Sequence, residues 1–185
     1  MAEDSWAEAQ RVFREADCLH GVATVERAYD RLAQAVTRDF GRKKNPLVLC
    51  VMIGGLVPTA EITRRVDFAF ELDYLHATRY RGKTSGGGLV WKAHPATPLK
   101  GRDVLVIDDI LDEGHTLLAI ESALQEQKPK SLKVAVLAEK LHDRRARGAR
   151  ADYIGLQVQD RYVFGCGMDY KGYFRQRPAI YAVKA

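Results

Sequence analysis

Val104-Leu105-Val106-Ile107-Asp108-Asp109-Ile110-Leu111-Asp112-Glu113-Gly114-His115-Thr116 passes from four apolar residues into four acids within six positions. The apolar start reads as a buried strand, and Leu117, Ile120 and Leu124 then recur at helical spacing over 116–127. A helix cap accounts for one or two acids at such a junction and leaves the others unexplained. In an open parallel sheet, ligands bind beyond the carboxyl ends of the strands, and these acids stand at one such end. Two further apolar runs, Leu47 to Ile53 and Leu132 to Ala138, also read as strands buried on both faces. Strands alternating with helical segments predict an α/β fold: a central parallel sheet flanked by helices and joined by right-handed crossovers.

Outward from this centre the pattern stays consistent. The first forty residues predict two helices, one carrying Trp6, Ala9, Phe13 and Ala16, the other Val22, Val25, Tyr29, Leu32 and Val36 and ending at Gly41. A short helix is expected over 56–65. A strand is expected over 66–76, with Phe68, Phe70, Leu72 and Tyr74 on one side. Residues 78–88, TRYRGKTSGGG, read as a polar, glycine-rich loop, and Leu89 to Trp91 as a strand leaving it. Arg144 to Arg150 reads as a basic loop, with short strands at 153–156 and 162–164. No repeat or linker interrupts the chain, so residues 1–185 are expected to form a single domain.

Composition narrows the class. The chain has 185 residues, 46% hydrophobic and 29% charged, which excludes an intrinsically disordered protein. Cys18, Cys50 and Cys166 are odd in number and far apart, against a disulfide framework or a structural zinc site. The longest apolar run is too short to span a bilayer, and the acidic N-terminus resembles no targeting peptide, so a soluble cytoplasmic protein is expected. A net charge of +5 suits a protein that handles small polyanions, and equally a weak binder of nucleic acid; charge alone does not separate them.

The acidic segment resembles the signature of the type I phosphoribosyltransferases: an apolar strand, two adjacent acids, two apolar residues, then D-x-G-x-T. From about Asp17 onward, the order and spacing of later motifs are similar to the hypoxanthine-guanine phosphoribosyltransferases. The resemblance implies that family's fold with a small hood, built from the N-terminal region and the C-terminal segment. It implies transfer of ribose 5-phosphate from phosphoribosyl pyrophosphate to N9 of hypoxanthine or guanine, with magnesium. The family commonly forms homodimers or homotetramers.

The same resemblance implies the site residues, position by position. Asp112 would manage the proton at purine N7 as general base or acid. Backbone amides of Glu113, Gly114, His115 and Thr116 would cradle the 5-phosphate, and Asp108 and Asp109 would face the ribose hydroxyls, directly or through magnesium-bound water. Ile53 and Gly54, after a strand where relatives carry a non-proline cis peptide, would meet pyrophosphate, together with Arg79, Tyr80 and Arg175. Arg81 and Lys83 would belong to the same mobile lid. Lys140, whose ammonium has only donors, would select a 6-oxo acceptor over the amino group of adenine. Arg161, Tyr162 and Val163 would hold the purine, and Asp169 would stand near the guanine amino group and a second magnesium, so that Asp108, Asp109 and Asp169 are the metal candidates. The chain departs from many relatives at Ile53, Arg79, Glu113 and His115, and Glu113 is compatible with a phosphate only if its side chain points away. Two alternatives are a xanthine-preferring transferase, and a regulatory homologue that binds nucleic acid through Arg144, Arg145, Arg147 and Arg150. With the acid, the lysine and the lid motif all in place, no nucleic-acid or membrane partner is expected.

Overall fold

A computed structural model describes residues 4–79 and 89–184. The elements run α1 (Ser5–Glu15), β1 (Asp17–His20), α2 (Val22–Phe40), β2 (Leu47–Val51), α3 (Leu56–Thr63), β3 (Glu71–Arg79), β4 (Leu89–Ala93), β5 (Asp103–Leu111), α4 (His115–Gln125), β6 (Ser131–Lys140), β7 (Tyr153–Val158), β8 (Val163–Phe164) and β9 (Ile180–Ala182). Six strands form the main sheet in the order β4-β3-β2-β5-β6-β7. All its neighbours pair in parallel except β3 with β4.

The predicted α/β architecture is therefore present, and the continuous apolar runs have a simple cause. Leu105 and Ile107 of β5 point to one face, where they meet Tyr29, Leu32 and Val36 of α2 and Ile62 of α3. Val104 and Val106 point to the other, against Leu117, Ile120 and Leu124 of α4. A strand covered on both sides cannot alternate with polar residues.

Three local readings change. The strand expected over 66–76 starts at Glu71, and Phe68 and Phe70 lie in the connector before it, packed against the α2 face of the core. Along β3 it is Leu75 and Ala77 that are buried under α4, whereas Leu72 and Tyr74 are 56% and 48% exposed. Among the described residues, the buried cluster under α2 and α3 includes no residue of β3, so Leu72 and Tyr74 lie outside that core. Thr78 and Arg79, expected in the glycine-rich loop, are the last residues of β3, and the rest of that loop lies outside the described residues.

The expected hood is a second, antiparallel sheet, β1-β9-β8. With α1 it encloses Ala9, Phe13, Phe164, Tyr170, Phe174 and Tyr181. Its strands β1 and β9 are four and three residues long and were not anticipated. The segment between β8 and β9 turns back toward the main sheet and reaches the site.

Candidate functional site

Strand β5 runs through the acidic pair to Leu111, so Asp108 and Asp109 are held by the sheet and not by a loop. Asp108 Oδ1 accepts the Asp109 amide at 2.8 Å, and Asp109 Oδ1 accepts the Ile110 amide at 2.7 Å. Burial pushes both carboxyls above the usual carboxylate range, and the adjacent negative charge of Asp109 pushes Asp108 further. Arg175 opposes this from across the site.

The turn after β2 abuts the pair. A Cβ on Gly54 would fall 2.1 Å from Asp109 Oδ2, so any side chain here would have to displace the Asp109 carboxylate. The Met52–Ile53 peptide is cis, as the resemblance implied, and Ile53 is 49% exposed. Gly167, on the segment returning from the hood, abuts the Gly54 carbonyl. Arg175 donates to the Gly167 carbonyl at 2.6 Å and pairs with Asp169 Oδ1 at 2.5 Å. Asp169 Oδ2 accepts the Gly172 amide at 2.6 Å. Ile53, Gly54, Arg175 and Asp169 are thus linked to Asp108 and Asp109 through one chain of contacts. Asp169 is not gathered with the pair into one cage, and among the described residues no three His, Cys, Asp or Glu side chains are placed to share an ion.

Beyond Leu111 the chain makes the turn that starts α4. Gly114 has φ +82°, and no side chain caps the helix. Its first amides form the positive end of a helix dipole, suited to an anion. The Glu113 carboxylate faces Arg144 Nε at 3.7 Å and lies 3.9 Å from His115 Nε2. The Ala146 amide donates to the Glu113 carbonyl at 2.8 Å, which ties the turn to the loop after β6.

Asp112 stands between the acidic pair and this turn. In the parallel register of β5 and β6, Leu111 lies opposite Glu139, which brings Asp112 beside Lys140. Lys140 Nζ donates to Asp112 Oδ2 at 2.6 Å. His142 Nε2 lies 2.7 Å from Asp112 Oδ1. Burial raises the Asp112 pKa, but the bonds from Lys140 and His142 outweigh it and hold the carboxyl below its ordinary range. His142 was not singled out in the sequence. Its only local sign is its place two residues after Lys140, at the exit of β6.

The residues assigned to the purine are less concentrated. Tyr162 is 53% exposed and meets Tyr170 edge-on at 5.4 Å. Val163 is buried in β8 opposite Ala182. The Arg161 guanidinium is committed to the hood, donating to Asp17 and to the Val183 carbonyl. Arg79 ends β3, while Tyr80, Arg81 and Lys83 lie outside the described residues. The basic loop is not a free cationic surface at its start. Arg144 grips Asp160 with two bonds, 2.7 and 2.9 Å, and Arg145 pairs with Glu139 and donates to the Lys140 carbonyl.

Residues 17–171 match the phosphoribosyl transferase domain family. The hypoxanthine-guanine-xanthine phosphoribosyltransferase of Tritrichomonas foetus is 34% identical over 166 residues, 90% of each chain. The hypoxanthine-guanine phosphoribosyltransferase of Streptococcus thermophilus is 34% identical over 154 residues, 83% of this chain and 84% of that one. The crystal structure of a hypoxanthine phosphoribosyltransferase from Staphylococcus aureus superposes with a TM-score of 0.85 at 27% identity, covering 93% of this chain and 94% of that one. Sequence and fold agree over most of the length, and the chain therefore belongs to the phosphoribosyl transferase family, alongside its hypoxanthine-guanine members, and is a transferase.

Proposed function

We propose that the chain transfers ribose 5-phosphate from phosphoribosyl pyrophosphate to N9 of hypoxanthine or guanine, giving IMP or GMP and pyrophosphate in purine salvage. The observation that carries this reading is the pair of Asp112 and Lys140 at 2.6 Å, one turn from an uncapped helix start. A 6-oxopurine presents O6 and N7 side by side on one edge. An ammonium next to a carboxylate offers a donor for O6 and a proton acceptor for N7 at neighbouring points. In the reaction the C1–N9 bond forms, the C1–O bond breaks with its electron pair leaving on pyrophosphate, and the purine proton passes to Asp112.

The other residues have distinct tasks. Amides from Glu113 to Thr116 hold the 5-phosphate, and Asp108 and Asp109 orient the ribose hydroxyls. Their negative charge also favours the positive charge that develops on the ribose. Gly54, Ile53 and Arg175 receive pyrophosphate, with Arg79 and Tyr80 assigned to the same ligand from the sequence, while Tyr162, Val163 and Asp169 hold the base. Magnesium fits Asp108 and Asp109, because two crowded carboxylates with raised pKa are relieved by a divalent cation that completes its shell with substrate oxygens. When bound it would offset the charge of the departing pyrophosphate. We infer a cytoplasmic enzyme that works as a homodimer or homotetramer, in keeping with the family resemblance. Separately, among the described residues no helix is long and apolar enough to cross a membrane.

A magnesium-dependent assay with hypoxanthine, guanine, xanthine and adenine tests this directly. Turnover of the first two and not of adenine is the expected result, and no turnover of any base would overturn the proposal. Activity on xanthine is the second reading, favoured by the xanthine in the name of the Tritrichomonas foetus relative and by a lysine that serves either base. The nucleic-acid reading loses support, because Arg144 and Arg145 are engaged by Asp160 and Glu139.

A further inference from the structure

We propose that His142 is the positioning residue of Asp112: it fixes one carboxylate oxygen to the protein so that only the other exchanges between Lys140 and the purine. This rests on the function proposed above. The two partners of Asp112 differ in kind. The side chain of His142 is 2% exposed, that of Lys140 12% and that of Asp112 42%, so the imidazole lies behind the carboxylate and the open side faces the site. A buried imidazole needs partners at both nitrogens. Nδ1 of His142 accepts the Arg144 amide at 3.1 Å, which leaves the ring proton on Nε2, where it is donated to Asp112 Oδ1 at 2.7 Å.

The backbone that carries His142 is fastened on both sides. The Leu141 amide donates to the Val158 carbonyl at 2.9 Å, and Arg145 donates to the Lys140 carbonyl at 2.8 Å. Arg144 is clamped on Asp160, and Ala146 is bonded to Glu113. The imidazole is therefore a fixed point, and the carboxylate conforms to it. Lys140 is the opposite case, an ammonium on a flexible four-carbon stem. When a 6-oxopurine takes the ammonium onto O6, Asp112 Oδ2 is released toward N7 while Oδ1 keeps its bond to His142. Without that bond, Asp112 would have only a mobile partner, and the N7-facing oxygen would lose its direction. A nucleophile, base or acid oriented by a third group is the general form of this arrangement.

The test compares His142→Leu, His142→Gln and His142→Asn in the full-length enzyme. The Leu variant keeps bulk and removes the donor, Gln returns an N–H near the place of Nε2, and Asn returns one near Nδ1, short of Asp112. Turnover of guanine should fall roughly 10- to 100-fold in the Leu variant, the scale of a misplaced reacting group, with KM for phosphoribosyl pyrophosphate little changed. Gln should restore most of the rate and Asn should not. In an Asp112→Asn background, His142→Leu should add little further loss. Wild-type turnover in the Leu variant, equal rates for Gln and Asn, or independent losses in the double variant would each overturn the proposal. If the Leu variant fails to fold, the Gln and Asn comparison decides alone. A readout independent of activity separates this inference from the function itself. In 15N-histidine-labelled protein, His142 should show a ring N–H on Nε2, protected from exchange and displaced by Asp112→Asn. An unprotected ring proton that ignores the Asp112 substitution contradicts the positioning role whatever reaction the enzyme performs.

Discussion

Replacing Gly114 with alanine adds one methyl group at the turn into α4, and two separate penalties follow from the structure. The residue sits at φ +82°, where an L-residue pays about 1–2 kcal/mol. The new Cβ would also lie 2.3 Å from Ala149 Cβ and 3.1 Å from Leu111 Cδ1, an overpacking worth about 1–3 kcal/mol more. The sum, about 2–5 kcal/mol, corresponds to a loss of roughly 4–20 °C in Tm for a chain of this size. Urea unfolding and thermal melts of Gly114→Ala measure the total, and a cycle with Ala149→Gly separates its parts. The steric share should be recovered in the double variant, while the share owed to φ should remain. Because the same turn is proposed to carry the phosphate amides, KM for phosphoribosyl pyrophosphate should rise in the single variant even where it is fully folded. A Gly114→Ala protein with wild-type stability would refute the tight approach to Ala149, and no coupling between positions 114 and 149 would refute its steric origin.

Three further outcomes are expected. Asp112→Asn should lower kcat by about 10²–10⁴, the usual reach of general acid–base catalysis, with a smaller effect on phosphoribosyl pyrophosphate binding; steady-state kinetics would show it. Lys140→Ala should raise adenine turnover relative to hypoxanthine, and a retained full preference for 6-oxopurines would remove the lysine from base selection. Asp103 is buried at 4% side-chain exposure; burial raises its pKa, but bonds from Ser131 and Lys130 outweigh this and depress it. A depressed carboxylate stabilises the fold above its unfolded pKa of about 3.9 and loses that contribution as pH falls through the folded value. Asp103→Asn should therefore be less stable than wild type at pH 7, and urea titrations should show the difference closing below about pH 4.

The site was legible where local sequence carried the chemistry. Asp108, Asp109, Asp112 and Lys140 stand at the ends of two apolar runs, and adjacent parallel strands bring such ends together. Gly114 was readable because a tight turn before a helix calls for glycine. What stayed hidden depends on partners distant in the chain. Arg144 and Arg145 read as an unpaired basic loop because the acids that hold them, Asp160, Glu113 and Glu139, lie in other segments. His142 carries no periodic signal, and its bond to Asp112 spans thirty residues. Strands β1 and β9 are too short for a period of two to register. Of the alternation expected from Phe68 to Tyr74 only Leu72 and Tyr74 belong to β3, and sequence could not say that they are exposed while Phe68 and Phe70 pack on the core.

In the proposed reaction the turn from Glu113 to Thr116 grips a sugar phosphate while Asp112 and Lys140 face the base. A crystal structure of the enzyme with GMP measures both at once. The phosphate should lie within hydrogen-bond distance of those amides, with O6 near Lys140 and N7 near Asp112. A nucleotide bound elsewhere, with the turn and the carboxylate untouched, would overturn the assignment of both ligand contacts.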